Sequence, residues 1–422
     1  MKIEFDAVII GGGPAGSSAA ILLARAGWAV ALVEKLSFPR RKVCGECIAA
    51  SNLPLLQALG IGPALEQAAG PELRYVALMQ GGHKVVTELP AASHEKYAWG
   101  RALGRETLDT LLITQARLAG AHVMQPWSVL RIQGAAGKWR CDVRATDTGS
   151  VLTLRTAVLI DAHGSWEALP SARGRTSRPH RSSDLLAFKA NFRHAKLAKG
   201  LLPVLAFSGG YGGMVRAGGD ITTVACCIRR DHLEANRRSS PGLGAGEVMQ
   251  ALLKAQCAGV QTALQGATRE GAWLAAGPLD TGIHLRRGDD IFRIGNAAGE
   301  AHPIIGEGMS MALQSAWLLC AQLCHGKPGQ SLSNPLWQRE RARVYAAQWR
   351  VAFATRLRLA AVLAHVAMRP KLATPMLALV QRWPQLLTLC ANLGGKTRCA
   401  VDAAAIAIQS GFCDYPVRQQ KA

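Results

Sequence analysis

Three glycines near the start of the chain, Gly11, Gly13 and Gly16, have the G-x-G-x-x-G spacing of a phosphate-binding turn. The first glycine permits a tight turn, the second lets a pyrophosphate approach the backbone, and the third lets a helix pack closely on a strand. Free amides at the start of the following helix favour bound phosphate. Glu34 ends the next apolar run and can accept hydrogen bonds from ribose hydroxyls. We therefore predict a dinucleotide site formed by Gly11, Gly13, Pro14, Ala15, Gly16, Glu34 and Lys35.

The elements around these residues occur in the order that such a site requires. Residues 7–10 are an apolar run typical of a buried parallel strand, 17–26 have the composition of a helix, and 29–33 predict a second strand. A glycine-rich turn that binds no ligand is the alternative. The strand–turn–helix–strand order, with an acidic residue at its end, favours the dinucleotide interpretation.

Alternating apolar and polar residues further along predict a second set of strands, and apolar residues at helical spacing predict more helices. The predicted strands are 75–79, 83–89, 121–124, 129–132, 139–143, two strands within 151–160, 184–192, 204–207, 221–228 and 290–294. The predicted helices are 53–59, 105–119, 246–255 and 309–323, followed by a helix-forming C-terminal part. Residues 171–183 are predicted to be a linker, and 209–213 a bend that displays Tyr211.

Composition limits the classes to which the protein can belong. The chain has 422 residues, of which 49% are hydrophobic and 18% charged, so it has enough apolar residues for two or three folded domains. It contains neither a signal-like start nor an uncharged apolar run of about 18 residues, so we expect no transmembrane helix and a cytoplasmic protein. The eleven cysteines are scattered and odd in number, which predicts reduced thiols.

The net charge of +21 is concentrated towards the end of the chain. Residues 326–422 contain 14 Lys and Arg against 3 Asp and Glu, which is 14 − 3 = +11. In residues 341–394 these basic residues alternate with apolar ones. The segment is predicted either to pack on the rest of the protein with a solvated basic face, or to rest as a helix pair on an anionic membrane. An acidic partner protein would also suit the charge, whereas no nucleic-acid motif accompanies it.

Three further motifs follow the glycine turn. They are Arg105–Asp109 on the predicted helix, Ile160–Gly164, and Gly295–Gly308. In this order and spacing the four motifs resemble the FAD proteins that include aromatic-ring monooxygenases, geranylgeranyl reductases and flavin-dependent halogenases. Two positions depart from that pattern, because His163 and Asn296 stand where the group usually has aspartate. The His163 side chain is predicted either to support a phosphate or merely to cap a turn.

The resemblance implies an FAD cofactor and assigns residues to it. Arg105 would face the pyrophosphate and Asn296 the ribityl chain. The Pro303–Gly308 turn would bring the start of a helix to the flavin edge that becomes anionic on reduction. The residues assigned to FAD through the resemblance are Arg41, Arg105, Asn296, Pro303, Gly306, Gly308 and Met309. A second G-x-G-x-x-G is absent, so NAD(P)H would act only as a transient reductant, or a separate reductase would supply the electrons.

The segment Arg41–Glu46 resembles a loop of geranylgeranyl reductases that runs beside the flavin. There Cys44 or Glu46 would face the substrate. Alternatively the loop only holds FAD, with Arg41 near a phosphate. Cys44 and Cys47 have C-x-x-C spacing, but zinc requires four ligands and no second suitable pair exists, so we expect no metal site. A redox-active disulfide is a second alternative, and the remaining cysteines are predicted to be core thiols.

These observations predict an α/β protein with a Rossmann-like FAD-binding domain, an inserted β-sheet substrate domain and a helical C-terminal region. The predicted boundaries are 1–75, 101–182 and 276–325 for the FAD-binding domain, 76–100 and 183–275 for the substrate domain, and 326–422 for the C-terminal region. The active site is expected between the second sheet and the flavin. Its predicted walls are Trp99, Tyr211, His302 and the Cys44 loop, and its predicted catalytic residues are Cys44, Glu46, His302 and Tyr211.

The resemblance implies an FAD-dependent oxidoreductase that acts on a small lipophilic substrate. Most favoured is a monooxygenase that hydroxylates a lipophilic or phenolic biosynthetic intermediate, in a dry pocket. One alternative is a double-bond reductase of the geranylgeranyl reductase type. Another is a maturation factor that modifies a side chain of an acidic partner protein. The Trp-x-Trp-x-x-Pro signature of halogenases is absent, so halogenation is not expected. The expected location is cytoplasmic, peripheral to the inner face of the membrane.

Overall fold

The structure is a computed structural model that describes residues 2–165, 169–170, 179–285, 288–324 and 332–401. In these ranges the strands are β1 (Lys2–Ile10), β2 (Val30–Val33), β3 (Cys47–Ile48), β4 (Tyr75–Gln80), β5 (His83–Glu88), β6 (Arg101–Ala102), β7 (His122–Met124), β8 (Trp127–Ala135), β9 (Lys138–Ala145), β10 (Val151–Asp161), β11 (Leu185–Arg193), β12 (Leu201–Phe207), β13 (Gly210–Arg216), β14 (Ile221–Arg229), β15 (Thr268–Ala276), β16 (Gly282–Ile283), β17 (Phe292–Arg293) and β18 (Gly299–Glu300).

The helices over the same ranges are α1 (Pro14–Arg25), α2 (Leu53–Ala58), α3 (Gly62–Ala68), α4 (Arg105–Leu118), α5 (Arg230–Arg238), α6 (Ala245–Gln256), α7 (Ala258–Ala263), α8 (Gly308–Cys324), α9 (Pro335–Ala367), α10 (Pro370–Arg382) and α11 (Gln385–Gly394). Short 3₁₀ turns occur at Ala50–Asn52, Gly295–Ala297 and Pro303–Ile305. The predicted helices at 105–119, 246–255 and 309–323 are confirmed as α4, α6 and α8.

The first sheet has the order β7-β2-β1-β10-β9-β8, with β17 paired to β10. Strands β7, β2, β1, β10 and β17 are parallel, whereas β8, β9 and β10 form an antiparallel meander. The carboxyl ends of β1 and β10, at Ile10 and Asp161, therefore lie side by side. In open α/β sheets this edge is where ligands bind, and the glycine turn begins there.

Alternation along β1 places its side chains in two cores. Ile9 packs with α1, α4, α8 and α9, and Val8 packs on the opposite face against the meander, where Trp139 covers it. The second half of β1 is apolar throughout because both of its faces are buried, as is typical of parallel strands. This burial fixes the position of the turn that follows Ile10.

The second sheet has the order β15-β11-β14-β13-β12-β4-β5 and is antiparallel apart from the β12–β4 pair. Helices α5, α6 and α7 cover one face, where Met249 and Leu252 pack against Phe192 and Leu205. The other face is turned towards the first domain and α9, with Tyr211 buried on it. The space between this face and the part of the protein built on the first sheet forms the candidate site.

The C-terminal helices join both halves of the molecule. On α9, Trp349 and Phe353 are completely buried in the core that contains α8. On α10, Leu377 and Val380 pack on Val85 of the second sheet. No single helix in the described ranges is long and apolar enough to cross a membrane. Within those ranges only α9 and α10 taken together have that length and composition, and the chain bends by 107° between them.

Two local expectations were wrong. The segment 151–160 is one strand rather than two, because residues 2–5 extend β1 and pair with its first half. The segment 209–213 is not a bend that displays a tyrosine, since Gly210 begins β13 and Tyr211 is only 1% exposed. A Cβ on Gly212 would lie 2.7 Å from the Ala225 carbonyl oxygen, so this glycine permits close strand packing. The predicted linker at 171–183 lies mostly outside the described residues.

Candidate active site

One large cavity of about 930 Å³ runs from the glycine turn, past the second sheet, to the C-terminal helices. All of the residues predicted to bind a cofactor line it apart from Gly16, which packs behind the turn. The predicted catalytic residues Cys44, Glu46 and Tyr211 line it too. His302, predicted as a catalytic residue and as a wall, is not one of the lining residues and reaches the cavity only through its contact with Tyr211. Trp99 does not line the cavity, because its ring packs 4.2 Å beneath the Arg74 guanidinium outside it, and its prediction as a wall was wrong.

The glycine turn has the shape of a phosphate cradle. Gly11 has a φ of +106°, and a Cβ on Gly16 would lie 1.8 Å from the Gly11 carbonyl oxygen, so both positions require glycine. Gly13 differs, because the nearest atom to a Cβ there would be an Arg105 nitrogen at 3.7 Å. The space in front of Gly13 is therefore open, and it lies at the start of α1, where backbone amides point outwards.

Glu34 closes the cradle on the side away from α1. The Gly12 and Leu36 amides donate to its two oxygens at 2.8 and 2.9 Å, and the side chain is buried. Arg40 lies between this carboxylate and Asp109, at 3.7 and 3.5 Å. Arg40 could not be selected from the sequence, because its second carboxylate neighbour, Asp109, is distant in the chain.

Arg105 begins α4 and faces the cradle. Its guanidinium donates twice to Asp109, at 2.7 Å for each bond, and the residue is buried. Burial alone would lower the pKa of Arg105, but the Asp109 carboxylate outweighs it and raises the pKa above its ordinary value. The cation is therefore permanent and fixed in orientation, as recognition of a pyrophosphate requires.

In the Ile160–Gly164 motif, the His163 side chain contacts protein groups rather than the phosphate cradle. The His163 ring contacts the Asp161 carboxylate, and its backbone amide donates to the same group. Asp161 also lies 3.8 Å from Arg293 of the neighbouring strand. His163 still lines the cavity, so the side chain supports the turn while the turn itself borders the site.

The fourth motif forms the wall opposite the glycine turn. Asn296 donates to Ser165 at 2.6 Å, and Gly306 adopts a left-handed conformation with a φ of +62°. Helix α8 begins at Gly308, and Pro303 and Met309 line the cavity on either side of this turn. The first amides of α8 have no partner within the helix, so the positive end of a 17-residue helix is directed at the site.

Tyr211 and His302 meet where the second sheet faces this turn. The Tyr211 hydroxyl lies 3.1 Å from His302 Nδ1, and His302 Nε2 lies 3.4 Å from the Thr281 hydroxyl. Burial lowers the pKa of His302 below 6.5 and raises the pKa of Tyr211 well above 10. At neutral pH the imidazole is therefore uncharged and the phenol protonated, so the pair can transfer a proton.

The Cys44 loop borders the cavity, but its charged residues are held by protein partners. Arg41 pairs with Glu106 and Glu270 at 3.1 and 2.8 Å, which joins the loop to α4 and β15. Cys44 is half-buried and Cys47 buried, and both are free thiols. The described residues contain no group of three or more His, Cys, Asp or Glu side chains that could hold a metal ion.

Glu46 lies at the centre of a buried polar network that the sequence did not reveal. Its carboxylate pairs with Lys189 on β11, accepts from the Thr223 hydroxyl on β14 at 2.5 Å, and accepts from the Arg105 amide at 2.9 Å. The residue has a φ of +59°, a conformation that side chains rarely adopt. The single lysine within the apolar strand 185–193 was the only sequence signal for this network.

A second buried ion cluster lies beneath the Gly306–Gly308 turn. Glu307 is completely buried, and Lys396, which follows α11, brings its ammonium group within 3.0 Å of the carboxylate. Lys396 also donates to the Gly306 carbonyl at 3.2 Å and approaches the Cys47 sulfur at 3.7 Å. The C-terminal segment is thereby attached to the turn that borders the cofactor site.

Comparison with known proteins agrees with this geometry. The family model described as "FAD binding domain" matches residues 4–354. Tryptophan 2-halogenase of Chondromyces crocatus is 25% identical over 75% of this chain and 60% of that protein. Menaquinone reductase of Mycolicibacterium smegmatis is 32% identical over 42% of this chain and 41% of its own length. The chain thus spans less than two thirds of these two relatives.

Three further matches cover a larger share of the matched protein. Digeranylgeranylglycerophospholipid reductase 1 of Methanopyrus kandleri is 27% identical over 74% of this chain and 78% of that protein. The myxobacterial chondrochloren halogenase superposes with a TM-score of 0.71 at 18% identity, over 97% of each chain. A geranylgeranyl bacteriochlorophyll reductase-like protein of Thermoplasma acidophilum gives 0.67 at 16% identity, over 93% of this chain and 100% of its own. The two structures show the fold that is shared.

The family model covers the glycine turn, Arg105, the Asn296 motif and the second sheet in one continuous match. The chain therefore belongs to the FAD binding domain family, within the group that includes flavin-dependent halogenases, menaquinone reductases and geranylgeranyl reductases.

Proposed function

We propose that the protein is an FAD-dependent monooxygenase that hydroxylates an apolar, phenolic intermediate. The observation that carries the proposal is the Tyr211–His302 pair: Tyr211 lines the cavity where the second sheet meets the Gly306–Gly308 turn, and His302 contacts the Tyr211 hydroxyl. Hydroxylation of a phenol requires removal of the phenolic proton as the ring is attacked. A buried tyrosine and a neutral histidine in hydrogen-bond contact supply the acceptor for that proton.

The residues at the two ends of the first domain fit the cofactor. The open space before Gly13 lies between the amides of α1 and the fixed guanidinium of Arg105, which suits a pyrophosphate. The free amides at the start of α8 suit the ring edge that gains negative charge. When bound, FAD supplies the electrons of the reaction and the place where oxygen is activated.

The chain's own residues account for the proton transfer. In this proposal neutral His302 accepts the Tyr211 hydrogen bond at Nδ1, and the Tyr211 oxygen, which also contacts the Cys227 thiol, accepts from a substrate hydroxyl. A substrate phenol can then pass its proton to Tyr211 while Tyr211 passes its own to His302. Thr281 holds the far side of the ring through Nε2, so that the ring plane stays fixed.

The remaining walls favour a substrate with a large apolar part. Between the second sheet and the C-terminal helices the cavity is bordered by aliphatic side chains, which are Val76, Leu78, Leu202, Val204, Leu363 and Val366. Burial of aliphatic surface contributes roughly 25 cal/mol per Å² of apolar area removed from water. An apolar substrate would gain affinity along this wall, and the wall would exclude water from the reaction.

Double-bond reduction is the second candidate function. It is supported by the similarity to menaquinone reductase and to digeranylgeranylglycerophospholipid reductase 1, and by the free Cys44 thiol in the cavity wall. Reduction requires no oxygen and no phenolic hydroxyl. The two reactions therefore differ in their co-substrate, which makes them separable by one experiment.

The test uses the purified FAD-loaded protein, NADH or NADPH as reductant, and a panel of alkylphenols and prenyl quinones. Each substrate is incubated with and without oxygen, and with and without bromide, and products are measured by mass spectrometry. Gain of one oxygen atom from ¹⁸O₂ by a phenol supports the proposal, and Tyr211→Phe should reduce that product strongly. Gain of two hydrogens without oxygen would assign reduction instead. Incorporation of bromine would overturn both and establish halogenation.

A further inference from the structure

We propose that α10 and α11 form a docking face for an anionic lipid surface, and that a substrate with a long apolar chain enters the cavity between these two helices. The proposal deepens the function given above, and it rests on that function only for the reaction that the substrate undergoes. The docking face is defined by residues 369–393.

The outer side of the docking face exposes large apolar side chains. Five of them lie within 22 residues, and their exposed fractions are between 40% and 53%: Leu372, Leu379, Trp383, Leu389 and Leu393. Helix α8, by contrast, buries every large apolar side chain that it carries. Contiguous exposed apolar surface marks an interaction site.

The inner side of the same helices lines the cavity. Met376 and Val380 of α10 and Leu386, Leu387 and Ala391 of α11 border it, and Leu379 both lines the cavity and is 40% exposed. The two helices are therefore a wall one helix thick between the cavity and the surroundings. An apolar chain that passes between them remains in contact with apolar side chains from the surface to the site.

The charged residues of the docking face are Arg369, Lys371 and Arg382, and the exposed Glu88 lies on the neighbouring strand β5 beside Thr388. Residues 341–401 contain ten Lys and Arg and not one Asp or Glu. Lys371 and Arg382 are exposed at opposite ends of α10, and the Arg382 guanidinium lies 5.9 Å from the Trp383 ring centroid. An exposed tryptophan with adjacent basic side chains suits the boundary between lipid headgroups and acyl chains. This combination favours an anionic lipid surface over an acidic protein.

The test measures sedimentation of the FAD-loaded protein with vesicles of phosphatidylglycerol and phosphatidylcholine. Binding should be strong at 30% phosphatidylglycerol and low salt, fall about tenfold or more on raising the salt from 50 to 300 mM, and be weak with pure phosphatidylcholine. The double variant Lys371→Glu/Arg382→Glu should bind anionic vesicles at least tenfold more weakly. Arg144→Glu/Arg238→Glu, which changes the net charge equally at exposed sites elsewhere, should bind as the wild type does.

A second arm tests the entry route with 4-nonylphenol and phenol as probes, by their quenching of FAD fluorescence. Ala391→Trp fills the inner side of the wall, and it should weaken nonylphenol binding tenfold or more while leaving phenol binding within twofold. Equal loss for both probes, or no loss for either, would overturn the entry route. Vesicle binding and probe binding both require no turnover, so their results are independent of whether hydroxylation is found.

For the docking face itself, equal vesicle binding by the two double variants, or retention by an acidic protein without vesicle binding, would overturn the proposal.

Discussion

The two ends of the cavity are built differently, although one continuous space connects them. At the cofactor end, the wall is backbone: Gly11 and Gly16 are fixed by contacts that no side chain would permit, and Arg105 is held by two bonds to Asp109. At the far end, the wall is two short helices whose apolar side chains face both the cavity and the surroundings.

One end of the cavity is suited to binding the same cofactor in every turnover, and the other end to letting a substrate enter and leave. A cofactor that is the same in every turnover is served by a rigid cradle of amides and one fixed cation. A substrate that must enter and leave is served by a wall with few buried contacts, because such elements open at low cost in free energy.

The largest effect is expected at Gly13. A Cβ there would have only an Arg105 nitrogen within 4 Å, at 3.7 Å, so the protein itself tolerates a side chain; but valine fills the approach to the cradle, and Gly13→Val should weaken FAD binding at least 100-fold. Fluorescence titration of the apoprotein with FAD gives the affinity. Gly82→Val is the matched control, since Gly82 lies in the β4–β5 turn with no atom near its Cβ position. Retention of FAD by Gly13→Val would contradict the cradle.

The next effect concerns the proton acceptor. His302→Gln keeps a hydrogen-bonding side chain but removes the base, and it should lower kcat by about 10²-fold or more, with a smaller change in KM. Because burial depresses the pKa of His302 below 6.5, wild-type activity should be constant at neutral pH and decline only as the pH falls below that value. Steady-state rates between pH 5 and 9 measure this decline. If His302→Gln shows the same acid limb, another group is responsible for it.

His302 also affects stability with a defined sign. A depressed pKa in the folded state means that folding favours the neutral ring. The contribution of His302 to the free energy of unfolding is therefore complete above its unfolded pKa near 6.5 and is lost as the pH falls through the lower folded value. Denaturant titrations of wild type and His302→Gln should converge as the pH is lowered, and divergence would show that the ring is charged when buried.

The rigid end was predictable from the sequence, since its information is local. Strand, glycine turn, helix and Glu34 follow one another within 34 residues, and each glycine has a separate steric reason that spacing alone expresses. The Tyr211 segment shows the limit of such reasoning. Its glycines were interpreted as a bend, whereas Gly210 and Gly212 are glycines because Cys227 and Ala225 carbonyls of the adjacent strand lie too near for a Cβ.

The buried ion pairs could not be predicted, because their partners are far apart in the chain. Glu46 and Lys189 come from the loop after β2 and from a strand of the other sheet, and Glu307 meets Lys396 from beyond α11. In the sequence Glu46, Glu307 and Lys396 are ordinary charges, and only Lys189 stands out, inside an apolar strand. Only the fold places them together, where burial of one without the other would be strongly unfavourable.

A third prediction tests the link between the two ends. Among the described residues, Lys396→Met leaves the buried Glu307 with Arg356, 3.9 Å away, as its one basic neighbour, and should lower the free energy of unfolding by about 3 kcal/mol. Lys371→Met, on the exposed side of α10, should change it by less than about 0.5 kcal/mol. Denaturant titration at pH 7 gives both values. Equal stability of the two variants would mean that the Lys396–Glu307 ion pair does not stabilise the Gly306–Gly308 turn.

The same lysine should give an alkaline signature. Burial acts to lower the pKa of Lys396, but Cys47 and Glu307 outweigh it and raise the pKa above its ordinary 10.5. Its contribution is therefore complete below that value and is lost only as the pH rises through the folded pKa. The stability difference between wild type and Lys396→Met should stay constant from pH 7 to 10, which repeated titrations would establish.

The smallest effects are expected at the two cysteines of the loop. Burial raises the pKa of Cys47, so this thiol stays protonated at neutral pH and is a poor nucleophile. Cys44 borders the cavity and contributes shape and polarity to its wall. Cys47→Ser should therefore keep kcat within about twofold of wild type, and Cys44→Ser should raise the substrate KM several-fold without slowing flavin reduction by NADH or NADPH.

A dithiol that cycles with the flavin would behave differently, because loss of either sulfur would stop turnover while dithionite still reduced the flavin. Thiol titration before and after turnover distinguishes the two cases, since a cycling pair changes by two thiols and a wall does not change. The expected result places Cys44 with the adaptable walls of the cavity rather than with its fixed cradle.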